Sequence, residues 1–269
     1  MRKKFGPSGS ARLTGQLVVG LAALSLSCSA DAGDEPGATP AAGGSGGVLA
    51  ASGGGGAPNP LGTPRCQPPV GMNGSPQTIE EAIALLNALP KPTSVACFLQ
   101  SLDRPLVAFA TSSVFSAQPA LSARSPRVFL RIGRLWLSVV IDGDSSYLIE
   151  LSHLEPDDVR SIKGEVLLPI NEALPPSAPY ERVRFGAGTA CGLCHTSEVP
   201  APGVSFTQAF ASTAFRPRNE SRVGLEGLLG ERRLCDWSAE PHRCEMLSAL
   251  FDGGGIIEES FPGSMPTFF

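Results

Sequence analysis

The sequence predicts an α+β protein: a β-rich domain, sandwich- or barrel-like, then a small helical module, both preceded by a disordered tether. Three observations carry this. Between Arg104 and Ile170 the chain breaks into short runs rich in β-branched and aromatic residues, separated by turn formers. From Phe206 onward, apolar residues instead recur at three-to-four spacing. In residues 29–64, 27 of 36 positions are Gly, Ala, Ser or Pro, a composition that buries too little apolar area to order itself. The expected divisions are 1–27, 28–64, 65–185 and 186–269.

Composition narrows the function classes. The 269 residues carry 21 basic and 25 acidic side chains, a formal charge of −4, which speaks against a nucleic-acid partner, since such domains are strongly basic. A hydrophobic content of 42% is enough to bury a core, so disorder throughout is excluded. No apolar run reaches the ~20 residues of a membrane-spanning helix.

The N-terminus reads as an address. Arg2, Lys3, Lys4 and Arg12 precede an apolar stretch from Gln16 to Ser27 that stops at Cys28. A positive n-region, a short h-region and small closing residues form an export signal. The ending Leu-Ser-Leu-Ser-Cys resembles the lipobox of bacterial lipoproteins, with Ser27 before the modified cysteine and Ser25 where that family usually carries Leu. The resemblance implies that Cys28 is acylated, that the membrane is a partner through this lipid, and that the protein resides in the cell envelope. The alternative is an ordinary cleaved signal with an incidental cysteine. Residues 29–64, as a flexible coil, would reach about 30 Å r.m.s., suited to tethering a folded body.

Within the body, Thr78 followed by Ile79-Glu80-Glu81 is a capping box that opens a helix running to Pro90. Strands are expected at PLVAFAT, RVFLRIG, RLWLSVVI, SYLIELS and SIKGEVLLPI, with Asp142-Gly143 marking a hairpin. Helices are expected at 206–215, 223–233 and 240–251, the last with Pro241 in its first turn. His153 reads as a lone strand-end histidine, because no nucleophile elbow accompanies it.

Six cysteines remain after Cys28. An exported protein lives in an oxidising compartment, so an even count invites pairing. Their clustering suggests Cys66–Cys97 and Cys235–Cys244 as disulfides.

The remaining pair lies in Cys191-Gly192-Leu193-Cys194-His195, the C-x-x-C-H attachment sequence of c-type haem. Two thiols three positions apart reach two vinyl groups of one porphyrin edge, and the adjacent imidazole becomes the proximal iron ligand. Here the chain resembles c-type cytochromes. Met265-Pro266-Thr267-Phe268 is similar to the stretch that holds the distal methionine in class I members, which makes Met265 the first candidate for the sixth ligand, ahead of His242 and Met246. The family's N-terminal and C-terminal helices are missing around 186–269. The resemblance implies haem c with its iron, one-electron transfer without enzymatic turnover, and a redox protein partner. Competing readings are a disulfide or thiol redox pair at Cys191 and Cys194, and a zinc site made from Cys191, Cys194, Cys235 and Cys244. A haem-free lipoprotein with a partner-binding β domain and structural disulfides is the rival function.

Overall fold

A computed structural model describes Val48–Leu49 and residues 66–268. The export signal, Cys28 and most of the tether lie outside the described residues. Within the expected tether, Val48–Leu49 forms a short strand, β1.

Helix α1 (Ile79–Ala88) starts as the capping box requires, with the Glu81 amide donating to Thr78 Oγ1 at 3.2 Å. Helix α2 (Val95–Ser101), which the sequence reading did not anticipate, starts on Ser94 and carries Cys97. Five strands follow where they were expected: β2 (Leu106–Thr111), β3 (Arg127–Ile132), β4 (Leu135–Val140), β5 (Leu148–Leu154) and β6 (Arg160–Leu167). The β4–β5 turn contains Gly143 at φ +79°, a conformation open to glycine. A short helix α3 (Ala178–Arg182) leads to a two-stranded ribbon, β7 (Arg184–Phe185) with β8 (Gly188–Thr189). Then come β9 (Val199–Pro200), β10 (Phe210–Thr213), β11 (Arg222–Val223), α4 (Leu225–Arg233), α5 (Pro241–Phe251) and β12 (Ile256–Glu258).

The class is α+β, built on one large sheet. Ten strands join in the order β1-β12-β2-β3-β4-β5-β6-β10-β9, with β11 also paired to β2. Pairing is antiparallel except between β12 and β2. Among the described residues the only other sheet is the two-stranded β7–β8 ribbon.

Residues 186–269 differ most from expectation. The helix expected at 206–215 is strand β10. Its Ala211 and Ser212 pair with Ile162 and Ser161 of β6, and this hydrogen-bonded edge outweighs a weak helical period in a segment rich in Phe and Thr. Helices α4 and α5 form as expected, but they pack into the main core. Strands β10 and β12 belong to the same sheet as β2–β6. The described residues therefore contain no separate three-helix module.

Register sorts the sheet into two unlike faces, since side chains alternate along a strand. Ala108, Leu130, Leu137, Leu151 and Gly164 lie in one row across β2–β6. Their face carries the main core with Ile83, Leu86, Phe98, Leu99, Leu247 and Leu250 of the helices. The adjacent row reads Phe109, Phe129, Ser138, Glu150 and Glu165, and faces the other way. A smaller apolar cluster of Trp136, Leu154, Ala214 and Met265, with Phe129 and Phe261, sits on that second face.

The structure pairs Cys66 with Cys97 and Cys235 with Cys244. The first bridge holds the start of the body to α2, and the second closes the turn between α4 and α5.

Candidate functional site

The five-residue motif begins in a single 3-10 turn, Ala190–Leu193, capped by Thr189. Thr189 Oγ1 accepts from the Gly192 amide at 3.2 Å and donates to Glu198. The Glu198 carboxylate also accepts from the Thr189 amide at 2.9 Å. One acid thus holds the approach to the turn by two donors. A Cβ at position 192 would meet the Glu198 carboxyl group, with Cδ at 2.8 Å, so a larger residue there would have to shift that side chain.

Cys191 O accepts from the amides of Cys194 at 3.2 Å and His195 at 2.8 Å. Both thiols are therefore presented from one tight turn, directly ahead of the imidazole. The two disulfides use the other four body cysteines, and Cys191 and Cys194 are both half-buried. Cys235 and Cys244 are bonded to each other, so the four-cysteine zinc site does not assemble. Among the described residues no group of three or more His, Cys, Asp or Glu is placed to hold a metal ion.

His195 is oriented by the sheet. Its Nδ1 lies 2.7 Å from the carbonyl oxygen of Thr213, at the end of β10. A carbonyl only accepts, so Nδ1 carries the hydrogen and Nε2 is left with its lone pair. Burial, followed by the positive charge of Lys163, lowers the imidazole pKa to about 3. A neutral ring with one fixed tautomer is the state a metal-ligating histidine needs. The rings of Phe215 and Phe268 lie 5.4 and 6.5 Å from it.

Beneath the motif lies the polar row of the second face. Arg127 pairs with Glu150 and also donates to Ser138 at 2.6 Å. Glu165, opposite Glu150 across β5–β6, is raised to about 7 by burial and by its acidic neighbour. Lys163 is lowered to about 8 by burial. Cys191 is pushed up to about 12 by burial and by Glu150. A reactive redox cysteine needs a stabilised thiolate, and this environment does the opposite.

The motif's other expected partners are distributed unevenly. Met265 is buried in the second-face cluster with Trp136, and its carbonyl accepts from Arg216 Nε at 3.0 Å. Arg216 also takes part in a bridge to Thr267 and directly follows Phe215. The segment 265–268 therefore runs beside the rings that flank His195. Met246 lies in α5, fully buried in the main core. His242, also on α5, bonds to Ser146 Oγ at 2.7 Å and stacks on Tyr147. Of the three candidates for a sixth ligand, only Met265 shares the motif's face.

Thr189, Glu198, Thr213 and Lys163 escaped the sequence reading. Strand alternation does place Lys163 and Glu165 opposite the core, which signals a solvated face; only the fold reveals that this face is covered. No protein family matches the chain, and neither a curated protein nor a solved structure does.

Proposed function

We propose that this chain is an exported, lipid-anchored carrier of one covalently attached c-type haem, working in one-electron transfer. The observation that carries the reading is the C-x-x-C-H turn, in which His195 Nδ1 donates to Thr213 while Nε2 keeps its lone pair. The donor set suits haem c. Cys191 and Cys194 lie outside the disulfides Cys66–Cys97 and Cys235–Cys244, at the spacing that thioether attachment uses. The fifth position belongs to His195. Met265 is the proposed sixth ligand, because its segment lies on the motif's face beside Phe215 and Phe268.

When bound, the haem supplies the one-electron ferric–ferrous couple. The chain's own residues do the positioning. Thr189 and Glu198 fix the turn, Thr213 fixes the ring tautomer, and half-exposed Leu193 puts the motif at the surface, within reach of a redox protein partner. Cys28 would carry the lipid that keeps the body at the membrane.

Denaturing electrophoresis tests the proposal, since thioether-linked haem survives it and stains in the gel. The unsubstituted protein should stain, and the double variant Cys191→Ala, Cys194→Ala should not. Absence of stain in protein made by a host competent for haem attachment would turn the reading to a haem-free lipoprotein whose sheet binds a partner.

A further inference from the structure

We propose that Lys163 is a positioning residue for His195, and that its positive charge holds the potential of the attached haem high. This rests on the haem reading above.

The geometry is a shared acceptor. Thr213 O accepts from His195 Nδ1 at 2.7 Å and from Lys163 Nζ at 3.4 Å. Lys163 Nζ also donates to Ser161 Oγ at 2.6 Å. Among the described residues no carboxylate lies within ion-pair distance of it. The nearby acids Glu150 and Glu198 act on it only at longer range. An ammonium withdrawn from water and met by a hydroxyl and a carbonyl is expensive to keep. Arg127 shows the ordinary solution on the same face, with Glu150 directly against it. Lys163 departs from that solution on the very carbonyl that accepts from the motif histidine.

Two effects follow, and they share a sign. A second donor on the Thr213 carbonyl draws electron density from the oxygen that accepts from Nδ1–H. The imidazole then gains less anionic character and donates less to a metal at Nε2. The fixed positive charge also favours the reduced, less positive iron. Both raise the potential. No proton moves in this account; the electron comes from and returns to a redox partner.

The test is a spectroelectrochemical titration of the haem-loaded protein and its Lys163→Met and Lys163→Arg variants at one pH. Lys163→Met should shift the ferric-to-ferrous ratio about tenfold toward ferric at a fixed electrode setting, roughly 59 mV for one electron. Lys163→Arg should restore most of the shift. Melting of the Met variant should not fall, because a desolvated charge has been removed. An unchanged potential in Lys163→Met would overturn the proposal, and so would an equal fall in both variants, which would assign the effect to packing. Failure of the haem reading itself looks different, since the unsubstituted protein would then hold no haem at all.

Discussion

The two faces of the sheet solve opposite problems with the same strands. On one, Leu130, Leu137 and Leu151 meet α1, α2 and α5 in a continuous apolar core. On the other, one residue along, Arg127, Ser138, Glu150, Lys163 and Glu165 form a polar row, reached by Ser116, Gln118 and Arg182 from neighbouring segments. Burial on the first face gains free energy directly. Burial on the second is repaid only where every polar group has a partner. Stability should thus reside on the helical face, and adjustable chemistry on the motif face.

The largest expected effect belongs to the helical face. Phe98 is fully buried in α2 between sheet and helices, so Phe98→Ala should cost about 3–5 kcal/mol in denaturant unfolding. The motif face holds a smaller apolar cluster, and Met265→Ala there should cost about 2–3 kcal/mol. On the proposed haem reading it should also leave the haem attached, because the thioethers would come from Cys191 and Cys194, while opening the reduced iron to carbon monoxide. A loss of stability with no carbon monoxide binding would make Met265 a packing residue alone.

The third prediction uses pH. Glu165 titrates near 7 when folded, above its ordinary value of 4.5, so the folded state holds this proton more tightly than the unfolded chain does. Its contribution is fully present below about pH 4.5 and is lost as pH rises through 7. Unfolding curves between those limits should show the unsubstituted protein losing on the order of 1–3 kcal/mol relative to Glu165→Gln. Lys163 does not confuse this window, because its own change lies from about 8 upward. Parallel curves for the two proteins would remove Glu165 from the buried set.

Much of the helical face was legible because its signals are local. The Thr78 capping box, the β-branched and aromatic runs of β2–β6 and the cysteine clustering are each local signals, and each corresponds to an element or bond in the structure. Strand β10 was misread because its identity depends on an edge offered by β6, about 50 residues earlier. The motif itself was legible as a spacing, but its supports were not. Thr213 and Lys163 reach His195 only through sheet register, which no local pattern encodes. Lys163 and Glu165 were legible only as members of an expected strand, and no local pattern could reveal that Thr213 and Arg182, from segments outside that strand, would reach them.

The smallest expected effect gives the sharpest division between the faces. Thr189 is buried, yet its side-chain partners are local: the Gly192 amide and Glu198. Thr189→Ala removes the cap of the turn and one of two donors to that carboxylate, while the Thr189 amide still donates to it. The cost should be about 1 kcal/mol, the usual value of a lost cap, or about 2–4 °C in melting for a domain of this size. The loss should be confined. Hydrogen exchange should speed up at Gly192, Cys194 and His195, whose amides belong to the turn, with Leu130 and Leu137 unchanged, because local opening need not involve the core. Thr189→Ser should restore protection, since its hydroxyl can make the same two bonds. Faster exchange spread equally over β3 and β4 would break the comparison, making the two faces one cooperative unit. Confined loss would leave the motif as a separately adjustable layer laid on a stable sheet.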